Sequence, residues 1–382
     1  MRLADCYNTA DFRELARRRL PAPVFHYIDG AADDEITYRR NTAAFDECDL
    51  VPNVLTGVEK VDLSTTVAGQ RLKMPFLLSP TALQRMFHPD GERAVASAAE
   101  RFGTLFGVSS LGTVSVEEIG ARVDSPKLFQ LYVHHDRDLN RSMLDRSRDA
   151  GFSVLALTVD TIVGGNRERD LRTGFTAPMK LGLRGAMSFL ARPRWTLNHL
   201  MGERFDLPQL GDRIREGRRL SITISDYFTK MLDQSLDWAT AGEIARYWDG
   251  PFILKGIMSA GDAQRAVDLG AAGIMVSNHG GRQLDGGRAP FDQLAEIVDA
   301  VGDRIDVICD GGIRRGTHIL KALAAGAKAC SGGRAYLYAL AAAGQPGVER
   351  ALGLLQSELE RGLKLMGCRS IHELSREHLR YR

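Results

Sequence analysis

Short apolar runs recur along the chain, and between them apolar residues return at helical spacing. Runs of this kind, bounded by turn residues, read as buried strands. Four lie in the first half, at Met74–Pro80, Thr104–Ser110, Lys127–Val133 and Ser153–Asp160. Four more follow at Pro251–Ile257, Gly273–Asn278, Asp306–Asp310 and Ala327–Gly333. Helical patterns succeed most of them, at Glu92–Arg101, Val116–Arg122, Asp136–Ala150, Ala239–Tyr247, Ala260–Leu269, Phe291–Val301 and Gly316–Ala325. Eight strand–helix units predict an α/β fold, a (β/α)8 TIM barrel. A doubly wound parallel sheet built from the same units is the alternative. A single domain is expected over 1–382, with a short N-terminal helical cap at 1–73. Within that cap 11–29 reads as one helix ending at Tyr27-Ile28-Asp29-Gly30, which would bring Tyr27 over the barrel rim. After strand four the chain is too long for an ordinary loop, so 161–238 reads as an insertion or lid.

Composition narrows the function classes. The net charge is +2 over 382 residues, so charge gives no case for nucleic-acid binding. The five cysteines are scattered and form no Cys-x-x-Cys pair. A disulfide framework and a zinc site are therefore not expected, and a reducing compartment is. No apolar stretch is long enough to span a bilayer, and the first residues lead into no signal-peptide core. A cytoplasmic location is the expectation.

The polar residues then fall into a pattern. Ser79 and Thr81 close strand one, and Ser109 closes strand two. Gln130 and Tyr132 come late in strand three; Thr158 and Asp160 end strand four. Lys255 is late in strand five, Ser277 and His279 end strand six, and Asp310 ends strand seven. Such barrels carry their active sites on the C-terminal rim. His279 can take a proton near neutral pH. Arg282, three residues on, offers a planar fork that grips a carboxylate. A base beside a carboxylate clamp suits chemistry on an organic acid; a capped loop with solvated side chains is the plainer alternative. Asp310-Gly311-Gly312-Ile313-Arg314 and Ser331-Gly332-Gly333-Arg334 read as a phosphate cradle, because glycine turns opening helices present N–H groups to anions. Plain turn glycines are the competing reading. In the insertion, Phe189, Leu190 and Trp195 lie among Arg184, Arg192 and Arg194. The segment 177–205 is expected to touch a membrane surface or a membrane-bound acceptor; an extra packed helix or a disordered excursion is the alternative.

Several segments occur in a telling order. They are Phe25-His26-Tyr27-Ile28-Asp29-Gly30-Ala31, Ser79-Pro80-Thr81-Ala82, Phe129-Gln130-Leu131-Tyr132 and Leu157-Thr158-Val159-Asp160. Leu254-Lys255-Gly256 and Ser277-Asn278-His279-Gly280-Gly281-Arg282 complete the set. Over nearly the whole chain they resemble the FMN-dependent α-hydroxy-acid dehydrogenase/oxidase family. The insertion around Arg194-Trp195 looks more like the family's lactate and mandelate dehydrogenases than its soluble glycolate oxidases.

The resemblance implies FMN as cofactor and oxidation of an L-2-hydroxy acid to the 2-keto acid. Electrons would pass to a quinone or cytochrome, or to O2 with H2O2 as product. It makes His279 the catalytic base and Asp160 its partner. Tyr27, Arg167 and Arg282 would bind the substrate carboxylate, and Tyr132 the substrate oxygen. Ser79, Thr81 and Ala82 would form the flavin-contact turn, with Lys255 near flavin N1 and O2. Ser109, Gln130, Thr158 and Ser277 would contact the isoalloxazine or ribityl groups. Asp310, Gly312, Arg314, Gly333 and Arg334 would hold the ribityl phosphate end. A homotetramer, peripheral on the inner face of the cell membrane, is also implied. Two departures stand out. The run Thr161-Ile162-Val163-Gly164-Gly165-Asn166-Arg167 lacks the proline that many relatives have near 162. Gly112, where relatives vary their substrate pocket, would leave room for a bulky side chain. A flavin-independent phosphate-binding isomerase and a non-catalytic binding barrel are the other readings.

Overall fold

The computed structural model describes residues 1–175, 183–211, 215–216, 219–220 and 230–382. Eight parallel strands close into a barrel. Strands 1 to 4 are Phe76–Thr81, Phe106–Ser109, Lys127–Leu131 and Val154–Thr158. Strands 5 to 8 are Phe252–Ile257, Gly273–Ser277, Asp306–Asp310 and Ala329–Gly332. Strand 8 pairs with strand 1 through Cys330 and Phe76, which completes the ring. The strands read as continuous apolar runs because helices cover the outer face and packed side chains fill the inner one. Leu77, Leu128, Ala156, Ile253, Met275 and Ile308 form one buried cluster with Val67 and Leu72. The last two belong to a hairpin, Thr65–Val67 with Gln70–Leu72, that plugs the N-terminal end of the barrel. The Ala68 N–H of its turn donates to Asp306 Oδ2 at 2.7 Å, at the start of strand 7. Each such buried aliphatic side chain contributes about 1.5–3 kcal/mol, so this end stays closed and the mouth lies at the other.

Local chemistry starts the helices between strands. Ser115, Asp136, Asp237 and Ser259 each accept a backbone N–H at a helix N-terminus, satisfying groups that have no intrahelical acceptor. The last helix, Arg334–Met366, has no counterpart in the sequence reading and breaks at Ala343 and Gly344. The expected single helix over 11–29 is two, Thr9–Arg19 and Ala22–Asp29. Pro21 forces the split: the residue before a proline avoids helical geometry, and Leu20 is extended at ψ 146°.

The insertion forms two further helices, Leu183–Leu190 and Pro193–Met201. Residues 177–182 and the Arg184 side chain lie outside the described residues. Phe189 and Trp195, expected to face a membrane, are instead half-buried against the core. The Trp195 indole N–H donates to the Met86 carbonyl at 2.9 Å, and Ser188 Oγ accepts from the Ala22 N–H at 2.7 Å. The outward face carries Met187, Leu190, Leu197, Leu200 and Met201. Among the described residues no helix is long and apolar enough to cross a membrane.

Candidate active site

The barrel mouth opens on a recess with about 990 Å³ of empty space, open solvent included. Strand 6 ends at Ser277, and the chain then turns through three left-handed residues: His279 at φ 58°, Gly280 at 68° and Gly281 at 73°. This conformation is uncommon and strained for a side-chain-bearing residue. The turn aims the imidazole across the mouth. Its Nδ1 lies 2.9 Å from Asp160 Oδ1. Thr161 Oγ1 sits 3.2 Å from the same nitrogen and donates to the same carboxylate oxygen at 3.0 Å. Nε2 is thereby left on the pocket side, 3.3 Å from the Tyr132 hydroxyl. Thr161 was not singled out in the sequence; its role shows only once the ends of strands 4 and 6 meet.

Asp160 reaches the imidazole because strand 5 makes room. The register of strand 5 shifts between Lys255 and Ile257, a bulge that re-aims the chain. Gly256 sits there at φ 113°, and a Cβ on it would stand 2.6 Å from Asp160 Cβ.

Burial lowers the His279 pKa below the ordinary imidazole value; Lys255 and Arg282 add to the fall, against Asp160. The resting imidazole is therefore neutral at neutral pH. Burial would raise Asp160, but His279, Lys255 and hydrogen bonds outweigh it and hold the carboxyl at about 2. Burial and the Asp160 charge raise the Tyr132 phenol, which stays an O–H donor. Arg282 and Arg167 lie over the Tyr27 ring, at 4.9 and 5.5 Å from its centroid. Burial, then Arg167, bring Arg282 down to about 10, so it remains charged. Asp170 is 3.7 Å from Arg167. A substrate carboxylate here would offset the crowded positive charge. The end of the helix that carries Tyr27 is anchored at Asp29, whose carboxylate accepts from Arg13, Arg169 and Tyr338. Without the proline near 162, Gln283 holds the strand 4 loop by donating to the Asp160 and Val163 carbonyls. Arg167 thus reaches the pocket wall.

Beneath the mouth lies a second network. Asp310 accepts from Ser79 at 2.7 Å, Ser331 at 2.6 Å and Ser277 at 2.7 Å, and lies 3.5 Å from Lys255 Nζ. Burial would raise this carboxyl; Lys255 and the serine hydroxyls hold it below its ordinary value. Ser331, read in the sequence as part of the phosphate cradle, instead donates to Asp310. Ser109, Gln130 and Thr158 do not line the recess. They form a buried chain, Ser109 Oγ to Gln130 Oε1 at 2.7 Å and Gln130 Nε2 to Thr158 Oγ1 at 2.8 Å. Thr81 and Ala82 do line it, and the Thr81 hydroxyl is 2.7 Å from that of Tyr336. Gly112 leaves no room for substrate: a Cβ there would meet Gln209 Nε2 of the insertion at 2.8 Å.

Gly312, Arg314, Gly333 and Arg334 gather on one wall of the recess. The helix Arg334–Met366 begins there, and its first N–H groups have no intrahelical acceptor. The Arg334 guanidinium is turned away from a purely phosphate-binding role. It donates to the Ile28, Gly30 and Gly280 carbonyls and lies 4.6 Å from the centroid of the Tyr38 ring. A helix terminus with Arg314 at one end of the recess and a buried lysine at the other fits a group with one phosphate and an electron-accepting ring.

Comparison with known proteins agrees with this donor set. Residues 16–381 match the model of the FMN-dependent dehydrogenase family. Glycolate oxidase 3 of Arabidopsis thaliana is 40% identical over 98% of this chain and 95% of that protein. L-lactate dehydrogenase of Alcaligenes faecalis is 40% identical over 97% of this chain and 98% of that protein. The crystal structure of a monotopic membrane protein, (S)-mandelate dehydrogenase, superposes with a TM-score of 0.94 at 35% identity, covering 99% of this chain and all of that one. With the family match spanning nearly its whole length, the chain belongs to the FMN-dependent dehydrogenases.

Proposed function

We propose that the protein oxidises an L-2-hydroxy acid to the 2-keto acid and passes the electrons to a quinone or cytochrome. The observation that carries this reading is the neutral His279, backed by ionised Asp160, opening on a pocket walled by Arg167 and Arg282. The two guanidiniums hold the substrate carboxylate, with Tyr27 as the surface between them. Tyr132 donates its O–H to the substrate oxygen. His279 takes a proton at Nε2, and Asp160, through Nδ1, fixes the tautomer and stabilises the imidazolium. Bound FMN supplies the two-electron sink. Lys255, buried beside Ser277, places positive charge where the flavin ring gains negative charge. Ser79, Thr81 and Ala82 form the turn against the ring. Ser109, Gln130, Thr158 and Asp310 set the polar floor under it. Gly312, Arg314, Gly333 and Arg334 take the phosphate, the last chiefly through its backbone N–H. Mass spectrometry of the released chromophore should give FMN. Anaerobic L-lactate, L-mandelate or a longer 2-hydroxy acid should bleach the yellow protein. A colourless protein that takes up no FMN, or a flavin that none of these acids reduces, would overturn the reading.

A peripheral contact with the inner face of the cell membrane belongs to the same proposal. Leu197, Leu200 and Met201 are 54, 74 and 82% exposed on one helix face, and Arg194 and Arg204 are exposed nearby. An apolar ridge flanked by arginines suits an anionic lipid surface. Co-sedimentation with anionic vesicles is expected, and Leu200→Asp with Met201→Asp should abolish it. Equal sedimentation of the double variant would remove the ridge from membrane binding.

A further inference from the structure

The turn that carries His279 is held by the N-terminal segment, through the helix Ile36–Ala43 and the residues before it. The Ala32 N–H donates to the Gly281 carbonyl at 2.9 Å, and the Ile36 and Thr37 N–H groups donate to Asp285. A Cβ on Gly281 would stand 2.7 Å from the Tyr38 nitrogen. Asn41, buried on this helix, pairs with Asn278, the residue before His279, through both ends of both amides. Asn41 Nδ2 donates to Asn278 Oδ1 at 2.8 Å, and Asn278 Nδ2 donates to Asn41 Oδ1 at 2.7 Å. Backbone partners fix which way the Asn278 amide points. Its Oδ1 also accepts from the Gly281 N–H at 3.1 Å, and its Nδ2 also donates to the Arg288 carbonyl at 3.0 Å. One side chain thus spans the left-handed residues 279–281, and what it has left asks for a donor and an acceptor side by side. A primary amide supplies both; a carboxylate supplies only the acceptor. The backbone at Asn41 also meets the turn after strand 7. Gly312 has no room for a Cβ against the Asn41 carbonyl, and Thr42 Oγ1 donates to the Gly312 carbonyl at 3.1 Å.

We propose that Asn41 is a positioning residue for the base: through Asn278 it holds the left-handed turn that keeps the His279 imidazole against Asp160. The proposal rests on the reading of His279 as the base. A residue at φ 58° is held against its backbone preference. Ser277 Oγ secures the near side of the turn by accepting the His279 N–H at 3.1 Å; the amide pair secures the far side. With the pair gone the turn relaxes and the imidazole leaves its carboxylate. Arg282 has its own anchors, the Tyr27 and Gly30 carbonyls. The grip on the substrate carboxylate therefore stays while the base is lost from its place. Asn41 touches no substrate and acts only through its partner.

The test uses Asn41→Ala and the isosteric Asn41→Asp as holoenzymes. In anaerobic stopped-flow with the hydroxy acid, the limiting rate of flavin bleaching should fall about tenfold to a hundredfold in both. The acid concentration that gives half that rate should change little. Asn41→Ala combined with Asn278→Ala should be no slower than Asn278→Ala alone, because members of one hydrogen-bonded pair do not add. The second readout is the titration of His279 in the resting holoenzyme, followed by NMR with ring-labelled histidine and assigned with His279→Ala. Asp160 is the neighbour that favours the imidazolium, while Lys255 and Arg282 oppose it, and the Tyr132 phenol is neutral. In Asn41→Ala the titration should therefore move to lower pH. Unchanged bleaching in both variants, additive losses in the double variant or an unmoved titration overturns the proposal. So does loss of FMN or of the fold in both variants, which would make the pair a support of the barrel and not of the base. The titration needs no turnover. If the unsubstituted protein is not bleached by any hydroxy acid, the functional reading fails, and the titration still decides whether Asn41 places the imidazole.

Discussion

His279→Ala is expected to yield a yellow protein whose flavin a 2-hydroxy acid no longer reduces. The groups proposed to hold FMN come from strands 1 to 5, 7 and 8, not from the turn that carries His279, so the cofactor should stay bound. Removing a positioned general base costs about 10²–10⁴-fold in rate. Asp160→Asn should do less harm, because the carboxylate orients the ring and favours its protonated form without touching the substrate. The pH dependence follows from the same geometry. The base works only when neutral, and burial holds its pKa below the ordinary value. The kcat/KM for the hydroxy acid should therefore be flat through neutrality and decline only below about pH 6.5. In Asp160→Asn the acid limb should move lower still, since the charge that favours the imidazolium is gone. Anaerobic stopped-flow across pH reads both. Bleaching of His279→Ala at the unsubstituted rate would end the assignment of the base.

Gly256→Ala should be nearly as damaging, although residue 256 touches no substrate. The added methyl group would lie 2.6 Å from Asp160 Cβ and 2.7 Å from its Cγ, so the carboxylate must move. The backbone at φ 113° adds strain of about 1–3 kcal/mol. A misplacement near 1 Å in a catalytic group costs roughly 10²-fold. Flavin reduction should slow by about that factor, with the acid limb shifted in the direction seen for Asp160→Asn. A variant that reduces its flavin normally would show that the dyad tolerates the displacement. Loss of rate without the pH shift would place the damage elsewhere.

The eight strands were legible because a strand buried on both faces has to be a short apolar run, and glycine or polar residues end it at the rim. That order put the polar strand ends at the rim, but did not tell that Ser109, Gln130 and Thr158 bond to one another instead of lining the recess. Other features could not be read one segment at a time. Thr161, Gln283 and Ser331 take their positions from contacts between loops or strands far apart in the chain. Helical spacing separates Trp195 and His199 from Leu197, Leu200 and Met201, yet it does not say which face packs inward. Arginine beside an aromatic pointed Trp195 outward; the Met86 carbonyl holds it inward. Gly112 read as open space because Gln209, which fills it, lies in the insertion. The helix over 11–29 was drawn through Pro21 on apolar periodicity, and the proline's effect on Leu20 prevailed.

The separation of the dyad along the chain bears on biosynthesis. Asp160 and His279 lie 119 residues apart. At about 5–20 residues per second, the ribosome makes Asp160 roughly 6–24 s before His279. Strand 8, which closes the ring against strand 1, comes later still, together with the helix start proposed to grip the phosphate. The nascent chain thus carries a carboxylate with no imidazole to orient and half a cradle with no anion. On the proposed roles, a prematurely terminated product lacking strand 8 should neither close the ring nor be reduced by substrate.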